Sequence, residues 1–237
     1  MDKKVLKYIF IILSILISGF GYYQLTGNTI SEKQTITITV NSVIDGDTIK
    51  DQNGQSYRML GINTPEKNQP FYQEAKDFLK QIEGKQVQVE LKGKDKYSRW
   101  LGYVFYNNEL INKKQLEKGF ANLYYYDKDN YYNEMKKAQE DAMKDQVVLW
   151  KKSINSNCIK LLSLEYKDGG DCKYQEQLIL NNLCNNLSII IKDDANHIYN
   201  ENLTNGIFTK NFSCIWNDAG DTVFIRDKEG FILSYSY

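Results

Sequence analysis

The sequence predicts a mainly β chain with some α, built as a small closed barrel of five strands with three helices and then a β-sandwich. Three observations point there. Short, β-branched runs with period two recur between Thr35 and Tyr106, the alternation of half-buried strands. Apolar residues at helical spacing appear in three stretches among and after those runs. Beyond residue 157 the alternating runs return, separated by turn residues and without any helical period.

The elements follow in order. Thr35–Val40 alternates and is β-branched throughout. Asp45-Gly46 and Asn53-Gly54 are hairpin signals, flanked by strands Thr48–Lys50 and Ser56–Ile62. Pro65 stops the sheet. Gln73–Ile82 places Ala75, Phe78, Leu79 and Ile82 on one helical face. Val87–Leu91 and Trp100–Tyr106 read as strands around the polar loop Asp95–Arg99. A second helix is expected over Ile111–Phe120, ending at Gly119, and a third over Tyr131–Trp150. Five short strands with interspersed helices suit a Greek-key barrel of the OB type. Ser153–Asn157 reads as a short linker. Strands are then expected at Cys158–Tyr166, Gln177–Leu180, Leu187–Lys192, Thr222–Arg226 and Phe231–Tyr235, an immunoglobulin-like sandwich.

The N-terminus reads as an address. Lys3, Lys4 and Lys7 precede an apolar run over residues 8–23. Its length is at the lower edge of a bilayer span, about 17 residues. Residues 1–25 are therefore expected to act as a signal anchor, with a cleaved signal peptide as the alternative, and residues 26–34 as a linker. Either reading puts the chain on the extracellular face of a membrane or into the medium. All four cysteines, Cys158, Cys172, Cys184 and Cys214, lie in the last segment, without a CxxC pair. Two disulfides suit an exported domain, with three pairings possible.

The zero net charge hides an asymmetry. Residues 35–152 carry 19 Lys+Arg against 17 Asp+Glu, and residues 153–237 carry 7 against 11. The middle segment is the better partner for a phosphate backbone. There Asp45-Gly46-Asp47-Thr48 and Arg58–Glu66 bring acidic side chains, an arginine, an amide and a glutamate close in sequence. Hard oxygen ligands beside an arginine are what cation-assisted attack on a phosphodiester requires. The chain has a single histidine, His197, in the acidic segment, which excludes histidine-based nuclease chemistry in the middle domain. Each residue also has a plain reading. Asp45-Gly46-Asp47 is a common hairpin turn, Arg58 an ordinary strand-face ion-pair partner, and Glu66 a first-turn helix acid.

Residues 36–152 resemble the staphylococcal nuclease (thermonuclease) family through IDGDT, YRMLGINTPE, DKYSR, KGFA and VVLW, in register. The resemblance implies a calcium-dependent (Ca2+) endonuclease that hydrolyses DNA and RNA and leaves 3′-phosphates. Tyr124–Tyr126 reads more simply as a half-buried strand than as a stacking platform, but aromatics beside a basic groove suit single strands, the expected preference. It makes Asp47 the main calcium carboxylate, with the Thr64 carbonyl as another ligand and Asp45 acting through water. Glu66 falls on the glutamate that positions or deprotonates the attacking water, Arg58 and Arg99 on the phosphate-binding arginines, and Tyr97 and Tyr125 on substrate-contacting tyrosines. The family commonly has aspartate where this chain has Asn63. An amide oxygen still coordinates calcium but brings one charge fewer, so weaker calcium binding is expected. Residues 158–237 are similar to the lamin-tail family through KDDANHIY and IWNDAGDTVFIRDKEGFI. That likeness implies docking to a surface or protein partner and no catalysis. Two other classes compete: a non-cleaving nucleic-acid-binding module, and a surface adhesin.

Overall fold

Asp45-Gly46 and Asn53-Gly54 do mark two successive reversals at the start of a barrel. Strand β1 (Thr35–Val43) pairs antiparallel with β2 (Thr48–Asp51), and β2 with β3 (Ser56–Met59). These coordinates are a computed structural model that describes residues 34–125, 128–166, 175–213, 215–216 and 220–237. The leader and membrane segment expected at residues 1–25, and nearly all of the 26–34 linker, lie outside them. Among the described residues no helix is long and apolar enough to cross a membrane.

After β3 come the short strand β4 (Ile62–Asn63) and helix α1 (Tyr72–Leu79), which passes into a 3-10 turn ending at Ile82. Ala75, Leu79 and Ile82 are fully buried, as their spacing predicts. Strand β5 (Gln86–Lys94) pairs with β1, and β6 (Trp100–Tyr106) with β5. The barrel closes where β3 runs parallel to β6, with Arg58 opposite Leu101. Its core holds Val40, Ile49, Met59, Val89, Tyr103 and Val104.

Strand β7 (Glu109–Leu110) leads into α2 (Ile111–Glu117), which stops two residues before Gly119. Gly119 has φ 67° and Phe120 N–H donates to the Gln115 carbonyl at 2.9 Å, a Schellman ending. The tiny strand β8 (Asn122–Leu123) pairs with β4, and α3 (Tyr132–Lys144) follows. Continuation of α3 to Trp150 is not observed. Gln146 turns left-handed at φ 56°, and Val147 N–H donates to the Ala142 carbonyl at 3.0 Å. This is the same type of ending without the glycine that announces it. Val148–Trp150 is a separate 3-10 turn.

The C-terminal region is a sandwich of two sheets. Strands β9 (Ile159–Glu165), β10 (Glu176–Asn182) and β13 (Gly206–Phe212) form one, in the order β13-β10-β9. Strands β11 (Leu187–Lys192), β12 (Ile198–Leu203), β14 (Thr222–Arg226) and β15 (Phe231–Ser236) form the other, in the order β12-β11-β14-β15. Strands β12 and β13 escape the sequence reading because each buries only its last residue, Leu203 and Phe212, and polar residues interrupt the rest of each. Leu178, Leu180, Ile189, Ile191, Val223, Ile225 and Trp216 fill the space between the sheets. Cys158 and Cys184 form a disulfide, while Cys172 and Cys214 lie outside the described residues.

Barrel and sandwich belong to one compact unit, Thr35–Tyr237. The joint at 153–157 is packed in place. Ser153 is buried, its Oγ donates to Asp227 at 2.7 Å, and its N–H donates to the Phe231 carbonyl at 2.8 Å. Trp150 packs edge-on against Phe231 and tilted against Phe224.

Candidate active site

The Asp45–Thr48 turn is held from three sides. Asp45 Oδ1 accepts the Asp47 N–H at 3.0 Å, which curls the turn on itself. Asp47 is buried. Its Oδ1 accepts from Thr48 Oγ1 at 3.0 Å, and its Oδ2 from Thr64 N–H at 3.2 Å and Thr64 Oγ1 at 3.0 Å. Gly46 is forced by proximity, since a Cβ there would sit 2.7 Å from Thr64 Oγ1 and 2.8 Å from the Ala75 methyl. Gln115 of α2 donates to the Gly46 carbonyl at 2.5 Å and to Ala75 O at 3.2 Å, fastening the turn to two helices. That residue was read only as part of a packing helix. Its fully buried amide is a signal visible only in three dimensions.

Arg58 leaves β3 directly over this turn. Its Nε lies 3.1 Å from Asp47 Oδ1, Nη1 donates to the Met59 carbonyl, and Nη2 lies 3.4 Å from Asn63 Oδ1. Asn63 and Thr64 are both buried. Asp45 is a carboxylate under pressure: burial first, then the neighbouring Asp47 charge, raise its pKa to about 6. Two crowded carboxylates, with the Asn63 amide oxygen on the far side of Arg58, offer oxygen donors. They fit a hard divalent cation, whose charge relieves that repulsion. Among the described residues no group of three or more His, Cys, Asp or Glu is placed to hold a metal ion.

Closure of β3 on β6 brings Arg99 to the same cleft from the Asp95–Arg99 loop. Asp95 shapes that loop by accepting the Tyr97 and Arg99 N–H groups at 2.9 and 3.0 Å, and it pairs with Arg99 Nε at 2.8 Å. Tyr97 is 68% exposed, with the Arg99 guanidinium 5.5 Å from its ring centroid. The cleft measures about 830 Å³ and is lined by Arg58, Asn63, Tyr97, Arg99 and Tyr125 from the barrel. Tyr125 presents its ring there, against Gly61, while its hydroxyl joins Tyr103 Oη at 3.0 Å and Asp129 Oδ1 at 3.4 Å. Burial pushes both phenols well above the ordinary tyrosine range. Glu66 stands on the exposed turn two residues beyond Thr64, outside the lining of this cleft, with its N–H bonded to Gln69 Oε1 at 3.0 Å. The structure thus gathers Asp45, Asp47, Arg58, Asn63 and Thr64 by direct contact, and Tyr97, Arg99 and Tyr125 around one opening.

The opening has a wall that the sequence did not announce. Ala195 and Asn196, from the turn between β11 and β12, also line it.

Residues 56–152 match the family model described as staphylococcal nuclease homologue. The chain is 34% identical over 154 residues to a thermonuclease of Staphylococcus hyicus, covering 59% of this chain and 90% of the relative. It is 31% identical over 160 residues to a thermonuclease of Staphylococcus intermedius, covering 60% and 95%. A Bacillus subtilis SPbeta prophage-derived endonuclease, YokF, is 30% identical over 136 residues, covering 51% and 46%.

Proposed function

Because the chain belongs to the staphylococcal nuclease homologue family, we propose that it is a calcium-dependent endonuclease acting on phosphodiester bonds of DNA and RNA. The observation that carries the reading is the convergence of Asp47 and Asn63 on Arg58, with Thr64 bonded to Asp47 and Arg99 facing the same cleft as Arg58. Asp47, the Asn63 amide oxygen and the Thr64 carbonyl would hold the ion, with Asp45 assisting through water. Bound there, calcium supplies charge that polarises a phosphoryl oxygen and acidifies water. Arg58 and Arg99 bind the phosphate and oppose the negative charge that grows on it. Glu66, which stands on the exposed turn outside the cleft's lining, positions or deprotonates the attacking water. Tyr97 and the Tyr125 ring border the strand and favour unpaired bases.

Export is supported by the basic and apolar leader sequence and by the Cys158–Cys184 disulfide, a bond that persists in oxidising compartments. The N-terminal segment anchors the protein to the outer face of the membrane, or is removed to release it. The sandwich is lamin-tail-like and docks the enzyme to a surface or partner.

Digestion of single-stranded DNA by the ectodomain, with calcium or with chelator, tests the reading. Calcium-dependent fragments with 3′-phosphate ends are the expected result. A gel shift without fragments points to a binding module. Neither signal leaves a surface adhesin.

A further inference from the structure

We propose that the 194–196 turn of the C-terminal sandwich is a working part of the barrel's cleft, docked by the Asn63 side-chain amide and holding that amide's oxygen toward Arg58 and the cation position. The proposal rests on the nuclease reading only in its second half. Asn63 Nδ2 donates to the Ala195 carbonyl at 2.6 Å, to Asn196 Oδ1 at 2.8 Å and, more weakly, to the Asp194 carbonyl at 3.3 Å. On its other side Asn63 Oδ1 faces an Arg58 guanidinium nitrogen at 3.4 Å. Main-chain carbonyls only accept and a guanidinium only donates, so both contacts select the same orientation of the amide. A flip would oppose oxygen to oxygen and nitrogen to nitrogen.

The partner strand repeats the device. Asn122 stands directly opposite Asn63 in the β4–β8 pair, and its Nδ2 donates to the Asp194 carbonyl at 2.8 Å. The turn is itself stiff. Asp193 accepts the His197 N–H at 3.0 Å and pairs with its ring Nδ1 at 2.6 Å. Lys192 Nζ, buried beneath, donates to the Asp193 carbonyl at 2.9 Å, to Ala195 O and to Asn122 Oδ1 at 3.3 Å. A rigid set of acceptors therefore meets two amides carried by the nuclease domain.

This gives a physical reason for asparagine at 63. A carboxylate there would have no proton to donate and would face the Ala195 carbonyl oxygen at hydrogen-bond distance, an unpaired and repulsive contact. The charge given up at the cation position is exchanged for a docked domain and for an amide oxygen whose direction is set by its neighbours. Asn63 touches the cation position; Ala195 and Asn196 act through it and are positioning residues. Groups that orient a metal ligand commonly change affinity by about 10- to 100-fold when removed.

The test uses the full chain, wild type, Asn63→Asp and Asn196→Ala, the last altering an exposed side chain. Hydrogen–deuterium exchange of the 193–197 amides, without metal or substrate, is expected to rise about tenfold in Asn63→Asp. Calorimetric titration with calcium is expected to show about tenfold weaker binding in Asn196→Ala. Unchanged exchange in Asn63→Asp overturns the docking. Wild-type calcium affinity in Asn196→Ala overturns the orienting role of the Asn196 side chain, and exchange still decides the docking there. A wild-type chain that binds no calcium defeats the calcium reading and the orienting role together, while the exchange result for the docking stands.

Discussion

Two arginines illustrate how the barrel and the sandwich use similar chemistry for different ends. Arg58 of the barrel pairs with Asp47 through one nitrogen and turns another toward Asn63, at the edge of an open cleft. Arg226 of the sandwich packs over Trp150 and Phe231, with ring centroids 5.1 and 5.6 Å away, and donates to the Leu149 carbonyl. The first keeps capacity in reserve; the second is closed inside a joint. The carboxylates divide in the same way. Asp45 and Asp47 crowd one another beside the cleft, while Glu176 accepts the Ile215 and Trp216 N–H groups, both at 2.9 Å, and holds a loop. A buried charge is a sign of function only where its surroundings leave room for something further to bind.

Substitution of the two kinds of arginine separates these roles with the largest contrast. Arg58→Ala and Arg99→Ala are expected to lower the turnover rate on single-stranded DNA on the order of 10²–10³. Arg99→Ala is expected to change the melting temperature little, while Arg58→Ala also lowers it by leaving buried Asp47 unpaired. Arg226→Ala is expected to lower the melting temperature and leave the rate per folded molecule near wild type. Equal losses of rate in all three would erase the distinction. Next in size is the disulfide. Cys158→Ala is expected to cost about 2–4 kcal/mol in denaturant unfolding, because it frees a loop of sequence separation 26 in the unfolded chain.

Gly46→Ala sharpens the comparison from inside the site. The added methyl has to displace Thr64 or Ala75, at roughly 1–3 kcal/mol of overpacking. Calcium affinity measured by titration is expected to fall with stability, because the proposed calcium site includes Thr64. A sandwich glycine with open space around it, such as Gly206, has no neighbour to displace, and Gly206→Ala is expected to cost only the strain of its backbone at φ 112°.

The smallest expected effect concerns Asp194, whose pKa is raised by burial and then by Asp221, the carboxyl beside it. The folded state keeps a proton there at pH values where the unfolded chain has lost it. This contribution to stability is complete below the ordinary carboxyl range and declines as pH rises toward the raised value. Melting temperature is expected to fall from pH 5 to pH 9, and Asp194→Asn to flatten that slope. An unchanged slope would remove Asp194 from the account.

Much of the site was legible because its parts are neighbours in the chain. Asp45, Asp47, Arg58, Asn63 and Thr64 are delivered by two successive turns, and a turn advertises itself through Gly, Asp and Asn. Helix α3 was overextended because Gln146 ends it in a conformation usually marked by glycine. Strands β12 and β13 are hidden because only Leu203 and Phe212, their last residues, are buried, so no apolar run marks them. The role of Gln115 was invisible because burial of an amide leaves no trace in spacing.

The amino-acid sequence by itself determined the barrel, the sandwich and the oxygen-rich turn, since each depends on short-range periodicity and local turn chemistry. Only the tertiary structure decided that Arg99 joins Arg58, through parallel closure of β6 on β3, and that Asn63 meets a turn more than 130 residues away. Such meetings depend on how two separately patterned modules pack. No residue period records that packing, because the hydrogen-bonding groups that meet belong to different modules and are matched only when both have folded.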